Sequence, residues 1–138
     1  MRIARTTDLE TCRALRRKVF IEEQGVAEAD EIDDLDGEAI HLLAVVNDRP
    51  IGTARLLVRG DLGKIGRVCV LADCRGSGVG AELIRASVAE LRAIPAIRQV
   101  KLSAQTHAIG FYEKLGFLAS GGEYMDAGIP HRDMVLET

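Results

Sequence analysis

A chain of 138 residues, 47% of them hydrophobic, is long enough for one domain with a substantial core, and residues 1–138 read as a single unit without linker or internal repeat. A net charge of −3 argues against general nucleic-acid binding, which draws on a basic face, and no apolar run approaches the ~20 residues of a membrane span. The three cysteines, Cys12, Cys69 and Cys74, form no C-x-x-C pair and so suggest neither a disulfide framework nor a metal site, and Met1 to Arg5 lacks the features of a signal peptide, which makes the cytoplasm the expected location.

Met1 to Arg5 begins like a first strand. Thr7-Asp8-Leu9-Glu10 has the spacing of a capping box, and Leu9, Cys12, Leu15 and Val19 follow at helical intervals, predicting a helix over Asp8 to Phe20. The other face of that helix carries Arg13, Arg16, Arg17 and Lys18. Glu22 to Glu38 then holds nine acidic residues and no lysine or arginine. It is not an EF-hand: with Gly37 at the sixth loop position, Ile32 would stand first and Leu43 last. Ile40 to Val46 reads as a strand, Asn47-Asp48-Arg49-Pro50 as a turn, and Ile51 to Val58 as the antiparallel partner. Gly60-Asp61-Leu62-Gly63 turns the chain again into Lys64 to Leu71. Next come a glycine-rich turn, Arg75 to Gly80, and an amphipathic helix, Ala81 to Ala93, closed by Pro95. Gln99 to Ala104 is a strand, Thr106 to Leu115 a short helix ended by Gly116, and Phe117 to Glu137 two strands joined by Asp126 to Pro130. The order β-α-βββ-α-β-α-ββ predicts an α+β domain around a mixed, mostly antiparallel sheet, with one parallel crossover through the helix after the glycine turn.

That turn carries the most chemistry. A strand, a glycine-rich turn and a helix start leave several N–H groups without partners, and the helix dipole favours an anion there. Glycines let a diphosphate approach the backbone, and Arg75 adds a permanently charged fork of donors. Gly76-x-Gly78-x-x-Ala81 satisfies the dinucleotide fingerprint, yet Ala72 to Arg75 separate it from the strand. The following strand also ends in Ser103-Ala104-Gln105, with no carboxylate for a ribose. The P-loop pattern fails because Ala81-Glu82 follows Gly80. The remaining alternative is a glycine-rich helix start without a ligand, which is disfavoured because glycine there costs about 1 kcal/mol relative to alanine.

The order of elements, Arg75-x-x-Gly78-x-Gly80 after a Val-x-Val strand, and Gln105-Thr106-His107-Ala108-Ile109-Gly110-Phe111-Tyr112-Glu113-Lys114-Leu115-Gly116-Phe117 together resemble the GNAT superfamily of acyl-CoA-dependent N-acyltransferases. Val19-Phe20-Ile21-Glu22-Glu23-Gln24 and Gly128-Ile129-Pro130-His131 are similar to its bacterial ElaA-like branch. The resemblance covers nearly the whole chain. It implies a domain that moves an acetyl group from acetyl-CoA to the primary amine of a small acceptor, and it places Glu22 to Glu38 at the acceptor side, where nine carboxylates without a lysine or arginine would draw in a cation. Composition and charge add the expectation of no metal, no membrane and no nucleic-acid partner. A homodimer is left open. By the same resemblance, Arg75, Gly76, Ser77, Gly78, Val79 and Gly80 would hold the diphosphate of coenzyme A. The edge of Val68, Cys69 and Val70 would pair with the pantetheine arm, and an N–H near Val70 would polarise the thioester carbonyl. Gln105 stands where many members have Asn at a cofactor contact.

Tyr112 shares an apolar helix face with Ala108 and Phe111, which core packing alone would explain. The resemblance makes it the acid at the departing thiolate. A phenol of pKa ~10 facing a thiol of pKa ~8.5 stabilises the thiolate by hydrogen bonding at least as much as by full proton transfer. An ammonium acceptor must also lose a proton. Candidates for the base are Glu22, Glu23, His41, His107, Asp126 and His131, with Glu23 and His131 ranked first because the branch resemblance picks out their segments. Glu22, Glu23 and His131 are the expected acceptor contacts. A covalent role for Cys69 is not needed by direct transfer. The reading from another class is a non-catalytic acyl-CoA sensor or interaction module; a nicotinamide-dependent oxidoreductase ranks third.

Overall fold

A computed structural model describes residues 1–138. After strand β1 (Arg2–Thr6), helix α1 (Leu9–Arg16) is capped by Asp8, one residue beyond the Thr7 that the capping-box spacing marks. The Asp8 carboxylate accepts from the Thr11 amide at 3.1 Å and from the Thr11 hydroxyl at 2.6 Å. Two oxygens serve two donors there, and the negative charge suits the positive end of the helix. Beyond Arg16 the helix widens into a π-helical segment, Arg17–Glu23, and α2 (Glu28–Glu31) follows. The acidic stretch is thus partly helical and folds back over the sheet.

Strands β2 (Ile40–Val46) and β3 (Arg49–Arg59) are joined by Asn47-Asp48 alone. Both residues have positive φ, 49° and 63°, the backbone twist that matches a two-residue hairpin, and Arg49-Pro50 consequently start the strand instead of completing the turn. β4 (Leu62–Val70), α3 (Val79–Arg92), β5 (Gln99–Gln105), α4 (Ile109–Lys114), β6 (Leu118–Asp126) and β7 (Ile129–Glu137) complete the chain. The seven strands lie in the order β1-β2-β3-β4-β5-β7-β6, antiparallel except for β4 against β5. The α+β architecture expected from the sequence is the one observed.

Period-two alternation divides the sheet between two helical layers. Leu42, Ala44, Ala54, Leu56 and Ile65 face Leu83, Ile84, Val88 and Leu91 of α3 in the main core. On the opposite face, Cys69 and Leu71 meet Leu15 of α1 and Val19. Gly63 sits directly under α3, where a Cβ would lie 2.9 Å from the Leu91 methyl carbons. Its lack of a side chain sets how closely the helix approaches the sheet.

The feature that makes a site is an irregularity in β4. Thr53 is opposite Cys69 and Arg55 opposite Gly66, so Arg67 and Val68 together oppose the single residue Ala54. This is a β-bulge, and its first residue, Arg67, has φ of 50°. A bulge bends its strand and flips the alternation of side chains. Before it, Ile65 belongs to the α3 face; after it, Cys69 belongs to the α1 face. Pairing with β5 runs only from Leu62 opposite Gln99 to Ile65 opposite Leu102. Past that point β4 and β5 diverge, leaving Gly66 to Val70 without a neighbour on that side.

Candidate active site

A cavity of about 280 Å³ occupies the divergence of β4 and β5. Ile65 to Val68 form one wall, and Leu102, Ser103 and Gln105 the other. Phe20, Gln24 and Val26 close it from the π-helical side, Asp30 and Glu31 from α2, and Tyr112, Asp126, Ile129 and His131 from the C-terminal elements. One face of the sheet supplies Tyr112 and the other supplies the acidic stretch, so the cavity passes through the sheet at the splay.

The glycine turn stands at the end of β4. Gly76 and Gly78 have φ of 82° and 87°, and a Cβ on either would meet nothing within 4 Å. Glycine is required there by the left-handed backbone and not by crowding. The consequence is a run of six amides, Gly76 to Ala81, that donate to no acceptor in the protein, while the Ser77 hydroxyl turns back to the Cys74 carbonyl at 2.9 Å. Successive outward N–H groups at the start of a fourteen-residue helix make a strong anion cradle. A Cβ on Gly80 would meet the Phe111 ring at 3.7 Å, so the cradle lies beside α4 and its Tyr112.

Arg75 behaves differently from the sequence expectation. Its Nε donates to the Val70 carbonyl at 2.9 Å, and its two terminal nitrogens hold Glu23, with Nη2 to Oε1 at 2.8 Å. The guanidinium ties the π-helical segment to β4 instead of reaching toward the amides. Hydrogen bonding from Arg75 keeps the Glu23 carboxyl below its usual range, which weakens it as a base. Neither Glu23 nor Glu22 lines the cavity.

Other candidates separate as clearly. His131 is 9% exposed, lines the cavity, and donates from Nδ1 to the Ile129 carbonyl at 2.7 Å. A carbonyl only accepts, so Nδ1 carries the hydrogen in that bond, and in the neutral ring Nε2 is the acceptor nitrogen. Gln105 joins Gln24 at 3.2 Å to His107 at 2.7 Å across the cavity's edge. His41 is buried away from the cavity, with Nε2 on the Asp36 carbonyl at 2.9 Å, a contact that anchors the acidic stretch. Asp126 lines the cavity without an ion-pair partner. Cys69 is buried, and desolvation pushes its thiol up to about 12, so it has no thiolate to offer as a nucleophile. Tyr112 packs edge-on against Phe111 and Phe117, with its hydroxyl unpartnered in the protein, and burial raises its phenol above the ordinary value.

Six of the nine carboxylates from Glu22 to Glu38 are matched by arginines. Glu23 pairs with Arg75, Glu28 with Arg17 and Glu38 with Arg59, while Glu31, Asp33 and Asp36 share Arg13, Arg16, Arg55 and Arg67. The segment is therefore no free acidic surface. Only Asp30 among its unpaired members lines the cavity. Sequence reasoning missed Asp30 and Arg67 as cavity residues, because neither the bulge nor the fold-back of α2 has a local signature.

Against known proteins, the family model of the acetyltransferase (GNAT) domain matches residues 6–138. YyaT of Bacillus subtilis (strain 168) is 40% identical, across 99% of this chain and 93% of that protein. Among solved structures, Escherichia coli ElaA superposes with a TM-score of 0.88 at 29% identity, covering 99% of both chains. An acyl-CoA N-acyltransferase from Pseudomonas aeruginosa superposes with a TM-score of 0.86 at 30% identity, over 98% of this chain and 97% of that one.

Proposed function

The chain belongs to the GNAT acetyltransferase family, and from that premise we propose that it transfers acetyl from acetyl-CoA directly to a primary amine of a small acceptor, with both substrates bound together. The observation that carries the reading is the splay of β4 from β5, which opens a cavity containing Tyr112 and His131 along the strand that leads to the six-amide turn. Gly76 to Ala81 bind the diphosphate through their amides. The free edge of Val68 to Val70 takes the two amides of pantetheine as an added strand, which brings the thioester to the cavity. Gln105 lies beside that path. Arg75 acts one step back, by holding the Glu23 segment against β4.

His131 Nε2 accepts the proton of the acceptor ammonium, and the nitrogen lone pair attacks the thioester carbon. The carbon–sulfur bond breaks, Tyr112 stabilises the departing thiolate, and the new amide nitrogen gives up its remaining extra proton to that thiolate through solvent. Asp30 and Asp126 give the cavity two carboxylates without ion-pair partners, which supports a cationic amine as the acceptor. His131 is favoured over Glu23 as the base because the carboxylate of Glu23 is held by Arg75 outside the cavity.

Two results are expected. Gly78→Val places a branched side chain at φ of 87°, where only backbone strain opposes it. Relief of that strain turns the amides away, and CoA affinity falls by more than about tenfold, roughly 1.4 kcal/mol. Calorimetry giving unchanged affinity for a folded variant removes the turn from the cofactor site. His131→Gln should lower kcat/KM for the amine by about tenfold or more near pH 7, and the deficit should shrink as the pH approaches ~10, where the amine deprotonates unaided. A deficit independent of pH would assign His131 to packing. CoA binding without thiol release in the presence of any amine would instead indicate a sensor.

A further inference from the structure

Arg67 is the one arginine whose side chain lines the cavity, and the fold goes to some length to bring it there. It occupies the bulge position with φ of 50°, a left-handed conformation that is strained for a long side chain at about 1 kcal/mol or more. With regular alternation it would share the face of Ile65 and point into the α3 core. The bulge instead turns it toward α1 and the cavity floor.

Once there, its guanidinium is incompletely satisfied. Nη2 donates to the Glu31 carbonyl at 2.9 Å and reaches Asp33 at 3.3 Å. Nε is buried without a hydrogen bond, 3.6 Å from the Glu31 carboxylate, and Nη1 has no partner in the protein. Around it, four guanidiniums, Arg13, Arg16, Arg55 and Arg67, share the carboxylates of Glu31, Asp33 and Asp36. Arg16 and Arg55 take the close bonds to those carboxylates, at 2.8 Å and 2.7 Å, and Arg67 is left with the longest. Burial, and then repulsion from Arg55, weaken its hold on the proton, whereas Arg16 and Arg55 hold theirs more firmly. The cluster has one cation more than it has anions, and the guanidinium left with unpaired donors is that of Arg67, which lines the cavity.

We propose that Arg67 binds a carboxylate of the acceptor, so that the acceptor is an amino acid or a related amine bearing a carboxylate. The inference rests on the transfer reading above and extends it: Asp30, Asp126 and His131 receive the ammonium, and Arg67 receives the acid. A planar guanidinium with an open Nη1 offers directed, charge-assisted donation that an ammonium-only acceptor leaves unused.

The test compares matched probes, glycine, methionine and lysine against their primary amides, as acceptors with acetyl-CoA and as ligands of the CoA-loaded protein by calorimetry. The acids should be preferred by about tenfold or more in kcat/KM. Arg67→Gln should reduce that preference to near unity without changing CoA affinity, and Arg67→Lys should restore part of it. An acceptor site selecting only positive charge would prefer the amides, and that result overturns the proposal, as does an undiminished acid preference in folded Arg67→Gln. Should Arg67→Gln fail to fold, 3-phenylpropanoate serves with the unaltered protein: competitive inhibition against the amine supports the proposal, and its absence overturns it. Binding of the acids without turnover supports the Arg67 assignment while removing the transfer reading; turnover of the amides as fast as the acids does the reverse.

Discussion

Tyr112→Phe is expected to lower the rate of acetyl transfer by about 10²-fold or more and to leave CoA affinity nearly unchanged. The aromatic ring packs edge-on between Phe111 at 5.1 Å and Phe117 at 6.1 Å, contacts that phenylalanine retains. What is lost is the hydroxyl alone, which makes no hydrogen bond in the protein, on a residue that lines the cavity. Because burial raises the phenol above its ordinary value, it is fully protonated near neutral pH and always able to donate. The same shift makes it a weaker acid than a thiol. Its contribution is therefore a hydrogen bond to the sulfur as negative charge develops, a stabilisation felt mainly in the transition state. The variant should accordingly lose kcat and kcat/KM together, with the melting temperature nearly unchanged. An undiminished rate in single-turnover measurements would falsify the assignment and leave Tyr112 as a packing residue.

Most of the fold was legible because it is written in local signals. The alternation of Ile40 to Val46 and the helical spacing of Leu83, Ile84, Val88 and Leu91 each specify an element, and their order specifies the sheet. Errors fell at boundaries, where two local solutions compete. Thr7 and Asp8 both suit a helix N-cap, and the carboxylate wins because Thr11 offers it two donors. Arg49-Pro50 looks like a turn, but Asn47-Asp48 already provides both positive-φ residues that a hairpin needs.

The site was legible where backbone chemistry makes it and obscure where tertiary pairing does. Gly76 to Gly80 mark a turn of unpaired amides through composition alone, and the resemblance singles out Tyr112, which lines the cavity. Glu23 and Arg75 were each assigned to a substrate, and neither expectation anticipated that they are partners across 52 residues of sequence. The acidic run from Glu22 to Glu38 reads as a surface for cations because the arginines that pair with it are scattered over α1, the π-helical segment, β3, β4 and the turn after β4. A helix face carrying Arg13, Arg16 and Arg17 was visible, and it is the missing half of that charge balance. The bulge at Arg67 has no sequence mark, since Gly66-Arg67-Val68 also fits a regular strand.

That charge balance sustains the second large effect. Asp36→Asn should destabilise the fold by about 3–5 kcal/mol, because it leaves buried guanidiniums without their shared counter-ion. Asp36 is 5% exposed and accepts from Arg16 at 2.8 Å through both terminal nitrogens, from Arg13 at 3.0 Å and from Arg55 at 3.2 Å. Hydrogen bonding from Arg16, opposed by burial and supported by Arg13, holds its carboxyl far below the usual carboxylate range. Asp33 is lowered in the same direction, chiefly by Arg55. A carboxyl depressed in the folded state contributes stability that is fully present above its unfolded value of ~3.9 and is lost as the pH falls through the folded value. Chemical denaturation of the unaltered protein should therefore show stability falling progressively below about pH 4. In the variant one of these groups no longer titrates, so the gap between the two proteins should be widest near pH 7 and narrow steadily as the pH falls below about 4. Asparagine keeps the shape of the side chain, which assigns the loss to charge and hydrogen bonding and not to a cavity. Because Asp36 also anchors Arg16 beneath α2, the variant should loosen the wall that carries Asp30 and Glu31 and raise the acceptor KM more than the KM for acetyl-CoA. A loss below about 1 kcal/mol, or a gap that stays constant with pH, would show that Arg13, Arg16 and Arg55 find sufficient partners in Glu31, Asp33 and water.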